Sequence, residues 1–268
     1  MTTPAAYTHG HHPSVLQAHS VRTAQDCAAY LLPHLQAGQD LLDIGCGPGT
    51  ITLDLAEIVA PGRVVGVENV EAPLTAARAN AAGRGDTGTV FELADVYELP
   101  YEDGSFDVVH AHQVLQHLTD PVAALHEMAR VCVPRGTLAV RDADYAAMSW
   151  WPESEGLTRW LDTYRTLARA NGAEPDAGRR LRQWAQDAEL HDLRLSTSNW
   201  LYASEHETRW WGRTWAARAT QSAFADQARE RGLVDDTGLA EISAAWLEWG
   251  ESPDAWFVIV HGELLARP

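Results

Sequence analysis

The segment Leu41-Leu42-Asp43-Ile44-Gly45-Cys46-Gly47-Pro48-Gly49-Thr50 joins an apolar run to an acid, three glycines at alternate positions and a helix-compatible stretch. Glycines in such a turn let backbone approach a ligand closely, and the amides at the start of the next helix face it. A second acid, Glu68, ends the run Val64-Val65-Gly66-Val67 and is followed by Asn69. A carboxylate about 20 residues beyond a glycine turn is placed to accept hydrogen bonds from ribose hydroxyls. These features alone also fit a dinucleotide enzyme. Asp43 separates the two readings, because a carboxylate two residues before the first glycine repels a pyrophosphate and suits a nucleoside ligand that carries an ammonium group.

A second group of side chains follows the run Phe106 to Ala111, in His110-Ala111-His112-Gln113-Val114-Leu115-Gln116-His117. Such a strand end lines the ligand crevice of an open α/β sheet. His112 and Gln113 are the candidates for groups at the reacting centre, His112 as a base for a second substrate that must lose a proton. Asp142 or Asp144, in Val140-Arg141-Asp142-Ala143-Asp144-Tyr145, would orient a histidine or bind that substrate; capping of the following helix is the structural alternative. His-x-His-x4-His and the N-terminal Tyr7-Thr8-His9-Gly10-His11-His12 invite a metal, but no nearby carboxylate completes a ligand set, so none is expected.

Elements able to position these residues alternate along the first half of the chain. Asp40 to Ile44, Val64 to Val67, Val90 to Leu93, Phe106 to Ala111 and Thr137 to Val140 read as buried strands; Thr50 to Val59, Pro73 to Ala82 and Pro121 to Val131 read as helices. This order implies right-handed βαβ crossovers and a parallel sheet covered on both faces. Turns are expected at Pro61-Gly62, Glu102 to Ser105 and Pro134-Arg135-Gly136. Near residue 145 the composition shifts: all eleven tryptophans lie from Trp150 onward. Leu193 to Tyr202 and Trp256 to Leu265 read as two closing strands, separated by about 50 residues of helical character, long for a strand connection. The expected architecture is α/β, a Rossmann-like seven-stranded, mostly parallel sheet sandwiched by helices. Residues 1–39 form an N-terminal helical segment, 40–145 the nucleotide-binding core, and 146–268 a Trp-rich helical cap with the last two strands. The tryptophans either face a substrate or pack helix against helix.

A net charge of −17 repels phosphate backbones and anionic lipid, so neither nucleic acid nor membrane is an expected partner. All 20 basic residues are arginine. Cys27, Cys46 and Cys132 lack metal or disulfide spacing and read as reduced thiols. With no leader or apolar span evident, a cytoplasmic location is expected.

Asp43-x-Gly45-x-Gly47-x-Gly49 resembles motif I of the class I methyltransferases that use S-adenosylmethionine (SAM), most closely the ubiquinone/menaquinone-biosynthesis branch. The similarity runs to about residue 145. It implies SAM as cofactor, with Asp43, Gly45, Cys46, Gly47 and Gly49 around its amino acid part and Glu68 and Asn69 at the ribose. Asp95 and Val96 would lie at the adenine, and His110 and His117 would flank the cofactor. Phe106-Asp107-Val108-Val109 matches the strand-four motif, and Pro134-Arg135-Gly136 departs from the usual Pro-Gly-Gly. In this family an N-terminal segment folds over SAM, which gives Tyr7, His11 and His12 as acceptor contacts beside Trp150, Trp151, Trp200, Trp211 and Trp215. The signatures of base, glutamine and protein-arginine methylation after strand four are absent. The complete cofactor motif together with the Trp-rich second half points to methyl transfer to a nitrogen, oxygen or sulfur atom of a small aromatic or heterocyclic metabolite, as in natural-product tailoring. Methylation of a quinone-like ring carbon and non-catalytic SAM binding are the alternatives.

Overall fold

Short, fully buried apolar runs become the inner strands of a sheet, because alternate side chains must find apolar cover on both faces. In the computed structural model, which describes residues 22–268, Leu41–Ile44 (β1), Val64–Glu68 (β2), Val90–Leu93 (β3), Phe106–His112 (β4) and Cys132–Ala143 (β5) are the parallel strands. Leu42, Ile44, Val109 and Val140 turn to one face; Leu41, Val108 and Ala139 turn to the other. On the first face pack Pro121–Val131 (α4 below) and a later helix at Leu181–Asp187; on the second lie Ala24–Cys27 (α1) and Thr50–Val59 (α2). Glu71–Arg84 (α3) completes the crossover from β2 to β3. Asp120 caps α4, its side chain accepting from the Ala123 amide with Pro121 at the first helical position.

The sheet continues with Ser149–Trp151 (β6), His191–Tyr202 (β7) and Trp256–Arg267 (β8). Its order is β3-β2-β1-β4-β5-β8, and β8 runs antiparallel to every neighbour. β7 occupies one whole edge of β8, so β5 and β6 share the other: β5 pairs with 261–266 and β6 with 256–258. All seven expected strands are present, and β6 is an addition. Three residues bounded by a 3-10 turn and a proline carry too little alternation to announce a strand. The Pro134-Arg135-Gly136 turn is corrected: it lies inside β5, where the register against β4 shifts and Arg135 takes a left-handed φ of 69°. The departure from Pro-Gly-Gly thus sits in an irregularity of the strand that re-aims its later half.

Glu155–Ala170 (α5), Leu181–Asp187 (α6), Glu205–Gln221 (α7), Ala223–Glu230 (α8) and Asp236–Glu251 (α9) supply the remaining helices. α5, α7, α8 and α9 build a second apolar core against Phe257 and Ile259 of β8. Trp160 and Trp246 are fully buried there, edge to face at 4.9 Å, and Trp215 stacks on Trp246 at 5.8 Å. Packing therefore accounts for most of the tryptophan periodicity. No helix among the described residues is long and apolar enough to cross a membrane.

Candidate active site

β1 ends at Ile44 and the chain turns through Gly45, Gly47 and Gly49 with φ of 65°, 55° and 74°, all left-handed. A Cβ at Gly45 would stand 2.5 Å from Val114 Cγ2, and one at Gly49 would stand 2.8 Å from the Phe91 ring, so conformation and space both demand glycine. Three acids line the cavity onto which this turn faces. Asp43 is buried: its Oδ2 accepts from the Thr52 hydroxyl and its Oδ1 meets His110 Nδ1 at 2.7 Å. Glu68 accepts from the amides of Gly47 (2.9 Å) and Asn69 (3.3 Å), and burial raises its carboxyl above the usual range. Asp95 Oδ1 accepts from the Tyr97 amide at 3.0 Å.

These residues open onto a cavity of ≈ 710 Å³ at the carboxyl ends of the parallel strands. Over β3, β2 and β1 its wall is Asp95, Val96, Glu68, Asn69, Asp43, Gly45, Cys46 and Gly47. Over β4, β5 and β8 it is His112, Gln113, His117, Tyr145, Met148 and Ile259, with Trp200 from β7 and Trp211, Trp215 and Arg218 from α7. Arg22 enters from the beginning of the described chain. The first half suits a nucleoside joined to an amino acid. Glu68 offers a carboxylate to a diol, Asp95 and Val96 lie one strand further out, and Asp43 retains lone pairs beyond those used by Thr52 and His110. Residues 35–197 match the family described as a methyltransferase domain.

The chain is a class I SAM-dependent methyltransferase.

Across 97% of its length the methyltransferase is 32% identical to an uncharacterized methyltransferase of Schizosaccharomyces pombe, 96% of which it covers. It is 34% identical to the 27-O-demethylrifamycin SV methyltransferase of Amycolatopsis mediterranei, over 60% of this chain and 63% of that one. The fold resembles that of the YcgJ protein from Bacillus subtilis, with a TM-score of 0.58 at 16% identity over 89% of this chain and 97% of the other.

Several sequence expectations shift once the methyltransferase is folded. His110 is fully buried and absent from the cavity wall; it stands behind Asp43 and holds that carboxylate in place. Gly49 likewise shapes the turn from behind. Asp144 does not reach the cavity, because both its oxygens are taken by the Arg179 guanidinium at 2.6 and 2.7 Å. Trp150 stacks on Phe257 and Trp151 is 56% exposed, so neither lines the cavity, whereas Trp200, Trp211 and Trp215 do. Tyr7, His11 and His12 lie outside the described residues. No cluster of three or more metal-ligating side chains occurs among the described residues.

Beneath the second half lies a buried polar network that sequence reading missed apart from His112, Gln113 and Asp142. Gln113 adopts a left-handed φ of 55°, with its amide donating to Arg141 O at 2.7 Å. A non-glycine residue held there costs roughly 1–3 kcal/mol, a strain associated with functional positions. Its side-chain oxygen accepts from Arg22 Nη2 at 2.9 Å, which orients Nε2 to donate to His261 Nε2 at 2.8 Å. Arg141 is fully buried; its Nε donates to Ser198 Oγ (3.0 Å) and stands 3.4 Å from Glu263. Glu263 in turn accepts from Ser196 and Ser198. Arg141 Nη1 faces His112 Nδ1 at 3.5 Å. A guanidinium only donates, so this contact favours the tautomer with the lone pair on Nδ1 and the proton on Nε2, a buried nitrogen with no protein partner. Burial, then Arg141 and Arg22, hold His112 well below the usual histidine range. Arg141 was in view as part of Val140-Arg141-Asp142, but nothing in the sequence marks it as buried, nor pairs it with residues of β7 and β8.

Asp142 supports the same floor, accepting from the Gln116 amide at 3.1 Å, and burial pushes its carboxyl up to about 7. A raised carboxyl favours the folded state fully below the unfolded value near 4, and that contribution is lost as pH rises to about 7. Asp142→Asn keeps an acceptor without the charge. The thermal midpoint of this variant should therefore rise relative to the natural protein between pH 5 and pH 8, by several degrees; parallel midpoints would refute a buried, high-pKa carboxyl.

Proposed function

We propose that this methyltransferase transfers its methyl group to a nitrogen, oxygen or sulfur atom of a small aromatic or heterocyclic metabolite, in a natural-product tailoring step. The observation that carries this reading is the second half of the cavity, where Trp200, Trp211, Trp215 and Tyr145 leave an aromatic-walled slot beside the nucleoside half. Flat apolar rings gain both area burial and favourable ring geometry in such a slot. Similarity to a methyltransferase named for 27-O-demethylrifamycin SV supports a heteroatom of a small molecule as the methyl acceptor.

SAM, when bound, supplies an already activated methyl on a sulfonium. Glu68 would hold the ribose, Asp95 and Val96 the adenine, and Asp43 the ammonium group. The chain's remaining task is to keep the acceptor in line and exclude water. Gln113, locked by Arg22 and His261, and His112 stand where β4 meets that boundary. Incubation with methyl-labelled SAM and a panel of aromatic and heterocyclic metabolites should label a small molecule. Fragment mapping of the product should place the label on a heteroatom; label on a ring carbon, or on RNA or protein only, would overturn the proposal.

A further inference from the structure

We infer that the acceptor is received as an anion, through an acidic oxygen such as a phenolate, enolate or carboxylate attached to the flat frame. This inference rests on the small-molecule reading above and adds the charge of the substrate. Among the described residues lining the cavity, the carboxylates are Asp43, Glu68 and Asp95, all in the half over β1, β2 and β3. The other half presents Arg22, Arg218, His112 and Gln113 and, among the described residues, no acid. Arg22 lies over the Trp200 ring at 4.8 Å, and Arg218 over Trp215 at 5.0 Å, so each cation borders an aromatic wall. A site that separates its charges in this way attracts an anionic acceptor and repels an ammonium one.

Proton positions lead to the same class. His112 lines the cavity; its Nδ1 faces the Arg141 guanidinium, which can only donate, and its Nε2 is buried without a protein partner, the position from which an N–H would meet a ligand. To act as a base it would have to become an imidazolium beside two guanidinium groups, which is unfavourable. In this proposal it donates a hydrogen bond to a negative oxygen in place of acting as a general base. The acceptor oxygen then needs no base at the moment of transfer. Its lone pair forms the oxygen–carbon bond as the carbon–sulfur bond breaks, and that electron pair returns to sulfur. An anion and a sulfonium become two neutral groups, with no proton to dispose of.

The test is isothermal titration of the complex with saturating S-adenosylhomocysteine, using benzene-, naphthalene- and quinoline-2-carboxylates and the matching carboxamides. At least one carboxylate should bind about 10-fold or more tightly than its amide, as expected for charge-assisted contacts. Arg22→Gln and His112→Phe should each erase most of that preference while altering amide affinity about 2-fold or less. S-adenosylhomocysteine affinity, titrated beforehand for every variant, reports that the fold is intact. Failure of S-adenosylhomocysteine to bind the natural protein would count against the nucleoside site itself. If no carboxylate binds better than its amide, or if labelled methyl passes preferentially to neutral or cationic acceptors, the charge inference falls while heteroatom transfer stands.

Discussion

Glu68→Ala is expected to weaken S-adenosylhomocysteine binding by about 100-fold, the loss of two charge-assisted hydrogen bonds of roughly 1.5 kcal/mol each. The carboxylate serves two sets of donors. From the protein, the amides of Gly47 and Asn69 fasten the glycine turn to the end of β2. From the ligand, ribose hydroxyls would take its remaining lone pairs, because nothing else at the end of β2 offers an acceptor of that strength. Glu68→Gln keeps one acceptor and should lose about 10-fold, by the same arithmetic for a single contact. Because the residue sits at the cavity rim and not in the core, the thermal midpoint should move by no more than a few degrees. Unchanged affinity in calorimetry would remove Glu68 from the cofactor site.

The largest effect on stability is expected at Arg141. The guanidinium is fully buried between Ser198, Glu263, His112 and the Trp200 ring, the last at 5.2 Å. Replacing it with methionine preserves bulk but leaves Glu263 as a buried carboxylate with two serine donors and no cation. Breaking one side of a buried pair costs about 3–5 kcal/mol, whereas replacing both sides is close to neutral. The thermal midpoint of Arg141→Met should fall by about 10 °C, taking roughly 2–4 °C per kcal/mol for a chain of this size. Arg141→Met combined with Glu263→Gln should recover more than half of that fall. A double variant no more stable than the single one would show that Arg141 acts by packing alone. The single variant also relieves His112 of one neighbouring cation, so its imidazole should titrate at higher pH, a shift visible by NMR.

The two experiments probe different kinds of information. The placement of Asp43 and Glu68 at one cavity is legible because each stands at a fixed offset from a local pattern, an apolar run and a glycine turn, while Asp95 is reached through the family resemblance. Parallel strands enforce those offsets, since each βαβ unit returns the chain to the same end of the sheet. The helices Thr50–Val59 and Pro121–Val131 were legible for the same reason, with bounds that coincide with the residues predicted. The roles of His110 and Asp144 were not. At a strand end, whether a side chain turns to the cavity or behind it depends on a partner from elsewhere: Asp43 for His110 and Arg179 for Asp144.

The identity of the inner strands, their parallel sense and the need for glycine in the turn after β1 follow from the amino-acid sequence alone, because burial period and turn chemistry are local. The second half of the cavity had to await the tertiary structure. It is assembled from β4, β5, β7, β8, α7 and Arg22, and contacts such as Gln113 with His261 span 148 positions. No periodicity encodes such a meeting. Only the antiparallel insertion of β8 beside β5, with β7 along its far edge, brings Arg141, Ser198, His261 and Glu263 under one cavity and sets the Arg141 guanidinium against His112 Nδ1.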